Sequence, residues 1–140
     1  MILNMFADST RILVVDDMMT MRALIKGQLK GMGFKNFQDA ENGQVAFSVL
    51  EKAVAANLPI ELILSDWNMP VMSGLDLLKK VRATPQYKDV PFMLITAEGE
   101  QSQVMEAIKA GVSNYVVKPF TPAAIQEKIL AVWKKHHPQG

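Results

Sequence analysis

The chain of 140 residues contains no cysteine, carries almost no net charge and has no long apolar run. Without thiols it can form neither a disulfide framework nor a thiolate metal site, which permits a reducing compartment. Its net charge of +1 argues against broad binding to nucleic acid or to a membrane surface. No segment approaches the roughly 20 apolar residues of a membrane span. The N-terminal MILNMFADST also lacks the basic flank of a signal peptide. We therefore expect a cytoplasmic protein.

The size and composition are those of one ordinary globular domain. Hydrophobic residues make up 49% of the chain and charged residues 21%, which is a usual balance for a folded domain. A chain of this length buries roughly 70% of its unfolded surface. Nothing in the sequence requires more than a monomer, so a monomer is the expectation.

Short apolar runs alternate along the chain with longer amphipathic segments. The short runs are apolar on both faces, which is typical of strands buried in a parallel sheet. They are Ile12–Val15, Leu62–Leu64, Val90–Ile95 and Tyr115–Val117, with a weaker run around Phe37. The longer segments repeat apolar residues at helical spacing, in Met21–Met32, Ala46–Ala53, Leu75–Val81, Val104–Ile108 and Ile125–Trp133. This order predicts an α/β protein with an open, doubly wound, five-stranded parallel sheet covered by helices on both faces.

Polar side chains follow four of the predicted strands at their carboxyl ends. The stretch LILSDWNMP stops being apolar at Asp66, and Asp16 and Asp17 follow the first strand. Thr96 and Lys118 stand in the same place after the fourth and fifth strands. Because the carboxyl ends of parallel strands share one edge of the sheet, we expect these side chains to lie together.

Three carboxylates at one edge repel one another. At about 4 Å and an effective dielectric of roughly 20, each like pair costs on the order of 4 kcal/mol. Either some of them are protonated, or a cation lies among them. Oxygen ligands on rigid strand ends suit Mg²⁺ or Mn²⁺, and Mg²⁺ often completes its shell with a phosphate oxygen. Lys118 and Thr96 could hold other oxygens of such an anion, and Asp66 is the candidate nucleophile for an aspartyl-phosphate.

Several longer motifs match a known family. They are VVDD (Val14–Asp17), TMR (Thr20–Arg22), MGF (Met32–Phe34), SDWNMP (Ser65–Pro70), SGLDLLKKVRA (Ser73–Ala83), ITAEG (Ile95–Gly99) and AGVSNYVVKPFT (Ala110–Thr121). With these motifs the chain resembles the receiver domain of two-component response regulators, and most of all its single-domain chemotaxis (CheY-like) members. The resemblance implies a flavodoxin-like (βα)5 fold with strand order 2-1-3-4-5. It also implies a receiver domain over 11–135, an N-terminal extension over 1–10 and a C-terminal tail over 136–140.

The resemblance implies a metal site and a phosphoryl acceptor. Asp66 would accept a phosphoryl group from the phosphohistidine of a sensor kinase. Asp17, Asp66 and the backbone carbonyl of Asn68 would ligate Mg²⁺, and Asp16 would bind it through water. The chain would catalyse only its own phosphorylation and dephosphorylation. Asn68 and Glu98 are the residues seen beside the acceptor and the switch threonine in fast-hydrolysing chemotaxis members, so the phosphoryl group would last seconds to minutes.

A second group of residues is implied to transmit the signal. Thr96 would hydrogen-bond a phosphoryl oxygen and Lys118 would form an ion pair with it, aimed by a cis bond to Pro119. Tyr115 would turn inward as Thr96 moves. That motion would remodel the face made by the fourth helix, the fifth strand and the fifth helix, where a flagellar motor switch protein or another target would dock. A phosphatase is a further implied partner.

Other interpretations remain at this point. Glu100 and Gln101 stand where chemotaxis members tend to be basic, which keeps open a phosphate sink or adaptor that does not bind the motor. A haloacid-dehalogenase-type phosphatase would need an acid at Asn68. A flavin-binding flavodoxin would have to seat a phosphate against Asp16 and Asp17.

Single residues have simpler interpretations as well. The acidic pair could serve as a helix N-cap, Thr96 as a cap and Lys118 as a solvated surface lysine. Tyr115 could be a half-buried sheet tyrosine and Trp67 a packing or rim residue. His136 and His137 would belong to a frayed tail.

Overall fold

Five parallel strands and five helices alternate along the computed structural model, which describes residues 6–96 and 101–137. The strands are β1 (Arg11–Val15), β2 (Asn36–Ala40), β3 (Leu62–Asp66), β4 (Phe92–Thr96) and β5 (Asn114–Val117). The helices are α1 (Met19–Gly31), α2 (Gly43–Ala55), α3 (Gly74–Ala83), α4 (Gln101–Lys109) and α5 (Pro122–His136). The sheet order is β2-β1-β3-β4-β5, so the predicted fold class and strand order are confirmed.

Alternating side chains of the central strands pack into two apolar cores. Leu13, Ile63 and Leu94 face one side of the sheet, where α2, α3 and α4 cover them. Their neighbours in sequence face the opposite core, which α1 and α5 cover. β1 is buried from Ile12 onward, and β3 and β4 are buried along their whole length. Burial on both faces explains why these strands read as continuous apolar runs.

Three helices begin at side-chain caps that the sequence supplies. Asn42 accepts a hydrogen bond from the backbone N–H of Val45, and Ser73 accepts one from Asp76. Thr121 accepts one from Ala124, with Pro122 as the first helical residue. Such caps satisfy amide groups that have no partner inside the helix. The caps therefore set where α2, α3 and α5 leave the sheet.

The strand limits differ from the sequence-based ones in ways that matter for the candidate site. β3 continues beyond Leu64 to end at Asp66, and β4 runs from Phe92 to Thr96. The predicted start at Val90 was wrong, because Pro91 has no N–H to offer a ladder and Arg82 Nη1 holds the carbonyl of Val90 at 2.7 Å. Asp66 and Thr96 are thus terminal strand residues rather than residues of a following turn.

Both ends of the described chain pack against the domain. Phe6 contacts the core beneath α1 and α5, and Thr10 is buried. At the other end α5 reaches His136, whose Nε2 lies 2.7 Å from Ser113 Oγ, so the expectation of a frayed tail is wrong at this residue. Within the described ranges, no helix is long and apolar enough to cross a membrane.

Candidate functional site

The predicted site residues lie at the carboxyl ends of four adjacent strands. Asp16 and Asp17 follow β1, Asp66 ends β3, Thr96 ends β4 and Lys118 follows β5. The ladders pair Val15 with Ser65, Asp66 with Ile95 and Thr96 with Val117. The parallel register therefore brings all of these strand ends to one edge of the sheet.

Asp16, Asp17 and Asp66 form a compact acidic cluster. Each offers one carboxylate oxygen, and these oxygens all lie within 4.8 Å of one another. Asp16 and Asp66 are buried, with 1% and 6% of their surface exposed, whereas Asp17 is open to solvent. Two of the three carboxylates have therefore lost most of their hydration, and the third faces the entrance.

Three polar groups of Asp16 make hydrogen bonds and the fourth, Oδ2, makes none in the described structure. Its N–H donates to the carbonyl of Ala40 at 3.1 Å, and its carbonyl accepts from Arg22 Nη1 at 2.7 Å. Its Oδ1 accepts from the N–H of Met18 at 2.9 Å. Its Oδ2 is buried without a hydrogen-bond partner in the described structure. A buried carboxylate oxygen without a partner is costly, so this atom indicates a ligand.

Asp66 is contacted by a backbone amide and by an ammonium group. Its Oδ1 accepts from the N–H of Trp67 at 2.9 Å and lies 3.1 Å from Lys118 Nζ. The same Nζ lies 4.0 Å from Asp16 Oδ2. The Trp67 side chain packs into the core that α2 and α3 cover, as the packing interpretation predicted. Lys118 is therefore shared by the two buried acids.

Burial changes the protonation of both buried acids. Loss of solvent raises the pKa of Asp16, and the charges of Asp66 and Asp17 raise it further, against the Met18 amide and Lys118. Burial also raises the pKa of Asp66, although hydrogen bonding and the charge of Lys118 oppose this. When ionised, three carboxylates beside one ammonium leave two negative charges unbalanced. This unbalanced negative charge favours the binding of a divalent cation.

The donor atoms fit a hard cation. All three candidate residues offer carboxylate oxygens, and Asp16 Oδ2 is buried without a hydrogen-bond partner among the described residues. Mg²⁺ and Mn²⁺ prefer such oxygen donors, whereas Zn²⁺ favours nitrogen and sulfur. Asn68 follows Asp66 by two residues at an exposed position, from which its backbone carbonyl could complete the set. The acidic cluster could therefore hold a metal.

The remaining predicted residues are placed as follows. Thr96 is buried, and its Oγ1 has no hydrogen-bond partner within residues 6–96 and 101–137. The Lys118–Pro119 peptide bond is cis. Tyr115 is half-buried, with Lys128 Nζ 5.1 Å from the centre of its ring. Glu98, predicted beside the switch threonine, lies outside the described residues.

Two residues that contact or closely approach the acidic cluster were not singled out from the sequence. Arg22, part of the TMR motif, contacts the backbone of Asp16. Gly74 packs so closely that a Cβ there would stand 2.1 Å from the carbonyl oxygen of Asp66. A glycine directly after the Ser73 cap, where a better helix former is usual, was the available signal for this close approach.

Comparison with known proteins agrees with this geometry. The sequence model of the response regulator receiver domain matches residues 12–130. Chemotaxis protein CheY1 of Helicobacter pylori is 47% identical over 122 residues, which span 87% of this chain and 95% of that protein. The CheY homolog of Campylobacter jejuni is 46% identical over 119 residues, 85% of this chain and 88% of that protein. The solved structure of CheY4 from Vibrio cholerae superposes with a TM-score of 0.78 at 31% identity, covering 89% of this chain and 98% of that one.

Proposed function

Because the chain belongs to the response regulator receiver domain family, we propose that it is a phospho-accepting regulator of a chemotaxis-type two-component system. Asp66 accepts the phosphoryl group in this proposal, and a histidine kinase supplies it. The supporting observation is the cluster of Asp16, Asp17 and Asp66 with Lys118 Nζ 3.1 Å from Asp66 Oδ1. This arrangement combines a carboxylate nucleophile, an oxygen cage for a cation and a fixed positive charge.

The proposed transfer exchanges one bond to phosphorus for another. A carboxylate oxygen of Asp66 attacks the phosphorus of the phosphohistidine, an O–P bond forms, and the P–N bond breaks with its electron pair leaving on the imidazole. Hydrolysis by water later returns the free carboxylate and inorganic phosphate. Mg²⁺, or Mn²⁺, would neutralise charge between the acids and the phosphoryl oxygens. Asp17, Asp66 and the Asn68 carbonyl would hold it directly, and Asp16 through water.

Lys118 and Thr96 supply the remaining phosphoryl contacts in this proposal. The ammonium of Lys118 leaves its contact with Asp66 Oδ1 and pairs with a phosphoryl oxygen, and the unpartnered Oγ1 of Thr96 donates to another. A buried hydroxyl that gains a hydrogen-bond partner only in the phosphorylated state stabilises that state relative to the unphosphorylated one. A ligand shifts a population in the same way. Tyr115 then turns inward, and this alters the output face.

The proposed output face is made by α4, β5 and α5. Met105 and Ile108 on α4 are both more than half exposed, and Val117 at the end of β5 is 37% exposed. Exposed apolar side chains on these elements suit a protein partner. A flagellar motor switch protein, or another target, is the proposed occupant, and a phosphatase is a further proposed partner. We also propose a cytoplasmic location, since a kinase that uses ATP would be the donor.

Acetyl phosphate carrying a radiolabel tests the acceptor assignment. Wild-type protein should take up label, to at most one per chain, in the presence of Mg²⁺, and Asp66→Asn should take up none. Asp76→Asn, at an exposed acid on α3, is the matched control and should label normally. Normal labelling of Asp66→Asn would overturn the proposed function. The label should decay within seconds to minutes, and a label that lasts many hours would reject the role given to Asn68 and Glu98.

A binding assay separates the motor-binding role from a phosphate sink or adaptor. The relatives reported above are named as chemotaxis proteins, which gives the second role no support. A motor-switch peptide should bind the full chain more tightly with beryllofluoride than without it. Equal binding in both states would favour the sink or adaptor. We propose no enzymatic activity beyond the chain's own phosphorylation and dephosphorylation.

A further inference from the structure

Arg22, in the first turn of α1, joins the acidic cluster to β2. Its Nη1 donates to the backbone carbonyl of Asp16 at 2.7 Å, and its Nε donates to Asp39 Oδ2 at 3.1 Å. Only 16% of the Arg22 side chain is exposed. A guanidinium is planar with donors in fixed directions, so it can make both bonds at once.

Asp39 orients this guanidinium from the neighbouring strand. It stands opposite Val14 in the ladder between β1 and β2, close to where β1 ends. Its second oxygen, Oδ1, accepts from Lys26 Nζ at 2.7 Å, and Lys26 lies one helical turn after Arg22 on α1. Arg22 and Lys26 thus share one carboxylate, but Arg22 is the one that also reaches Asp16 in the described contacts.

The contact with the Asp16 carbonyl controls a peptide plane inside the candidate metal site. That carbonyl belongs to the planar peptide that joins Asp16 to Asp17. The Asp16 N–H is already held by Ala40 and its Oδ1 by the Met18 amide, so the Arg22 bond is the described contact that fixes its carbonyl. Asp17 is exposed and follows this plane directly, so its carboxylate is aimed by the backbone that Arg22 holds.

We propose that Arg22 is a positioning residue for divalent-cation binding, held in place by Asp39. It acts through the Asp16–Asp17 peptide and does not touch the cation. This inference rests on the proposed function, because it concerns the same metal site. Partners that orient metal ligands commonly change affinity by about 10-fold to 100-fold when removed. A positive charge near a cation site, taken alone, would have the opposite effect and weaken binding.

Matched variants separate positioning from charge. Arg22→Met and Lys26→Met each remove one positive charge from Asp39, but only Arg22→Met removes the bond to the Asp16 carbonyl. Mg²⁺ titration of the full chain is followed by the fluorescence of Trp67, whose backbone N–H donates to Asp66 Oδ1, and gives the dissociation constant with Trp133 as a constant background. We expect Arg22→Met to weaken Mg²⁺ binding by about tenfold or more, and Lys26→Met to leave it within about twofold or to tighten it slightly.

The free energy of unfolding of each variant, measured without metal, shows whether Arg22 has a purely structural role. Arg22→Lys keeps the charge but lacks the planar fork with which arginine makes both bonds, so it should also weaken Mg²⁺ binding, and it serves where Arg22→Met does not fold. A lower metal-free stability with an unchanged Mg²⁺ dissociation constant would overturn the inference and leave Arg22 a purely structural residue. Equal tightening in Arg22→Met and Lys26→Met would overturn it too. A wild-type chain without saturable Mg²⁺ binding would contradict the proposed function itself.

Discussion

The Nζ atom of Lys118 lies 3.1 Å from Asp66 Oδ1 and so neutralises part of the negative charge of the acidic cluster. In the proposed metal site, the ammonium would therefore compete with Mg²⁺ for the charge of Asp66. We expect Lys118→Met to tighten Mg²⁺ binding by on the order of tenfold, a modest figure because the side chain is partly exposed and screened. Mg²⁺ titration followed by Trp67 fluorescence, near neutral pH, measures the change.

Lys128→Met is the matched control for this prediction. Lys128, on α5, lies over the ring of Tyr115, and no described contact joins it to the acidic cluster. Its removal changes the net charge equally but should leave the Mg²⁺ dissociation constant nearly unchanged. Equal effects of the two substitutions would mean that overall charge, rather than the contact with Asp66, controls the affinity.

Gly74→Ala should destabilise the fold. A Cβ at this position would stand 2.1 Å from the carbonyl oxygen of Asp66 and 2.9 Å from Leu94 Cδ2, so α3 would have to move away from β3. Overpacking of this kind costs about 1–3 kcal/mol, and a backbone atom as the obstacle favours the upper end. Equilibrium unfolding in urea gives the change in the free energy of unfolding.

Gly27→Ala provides the opposite case for comparison. Gly27 lies inside α1, and nothing would stand within 4 Å of an added Cβ. Because glycine in a helix interior costs about 1 kcal/mol relative to alanine, this substitution should stabilise the protein by about that amount. If both variants shifted stability in the same direction, the close approach of Gly74 to β3 would not be the deciding factor.

Val71→Asn should stabilise the loop between β3 and α3. Val71 has φ of +70°, a left-handed conformation that is unfavourable for a β-branched side chain, and it is 75% exposed. The left-handed region costs about 1–2 kcal/mol for an ordinary residue, and asparagine tolerates it best after glycine. Little apolar burial is lost, so a gain of about 1 kcal/mol in the free energy of unfolding is expected.

The reverse exchange at a second left-handed residue checks this reasoning. Asn57, which follows α2, has φ of +64° and is exposed. Asn57→Val should lower the free energy of unfolding by about 1 kcal/mol. A gain in stability at Asn57, or a loss at Val71, would contradict the conformational explanation. Thermal unfolding of both variants is sufficient to decide.

His136 should make the stability depend on pH in the weakly acidic range. Burial lowers the pKa of His136 below the ordinary histidine value of about 6.5, and the positive charges of Arg82, Lys135 and His137 lower it further, against Asp89. The unfolded chain therefore binds a proton more readily than the folded one. The stabilisation is complete above the unfolded pKa and is lost as the pH falls through the folded pKa.

His136→Gln isolates this contribution. Glutamine can keep the hydrogen bond that His136 makes with Ser113 Oγ, but it does not titrate. Asp16 and Asp66 have raised pKa values, so they act in the opposite sense and favour the folded state as the pH falls. Both proteins contain these acids, so the difference between their stabilities should report His136 alone. A difference that stays constant from about pH 8 to about pH 5 would contradict the assignment.

The strand ends of the candidate site could be read from the sequence because parallel strands align their carboxyl ends. Asp66 and Lys118 needed only the recognition of two apolar runs and this one rule. β2 was harder to recognise, since it is an edge strand in which Ala40 is the one buried residue. Without its register, the pairing of Arg22 with Asp39 across 17 positions could not be foreseen.

The positions of Gly74, Val71 and His136 were unpredictable for a related reason. The approach of Gly74 to β3, the left-handed backbone of Val71 and the contact of His136 with Ser113 depend on how elements pack in three dimensions. Local periodicity carries no information on such distances. The sequence therefore predicted which chemical groups lie at the edge of the sheet better than it predicted the packing contacts around them.

The strands that carry the site differ in how firmly the sheet holds them, because β5 is a border strand. β5 has four residues and, among the described strands, pairs with β4 alone, whereas β1 and β3, which carry the three acids, each have a strand on both sides. Displacing a border strand breaks one ladder, and displacing an interior strand breaks two. In the proposed reaction, the interior strands β1 and β3 would stay in place, and Lys118 would pull the border strand β5 toward the acids. The structural change would therefore be directed to the edge of the sheet.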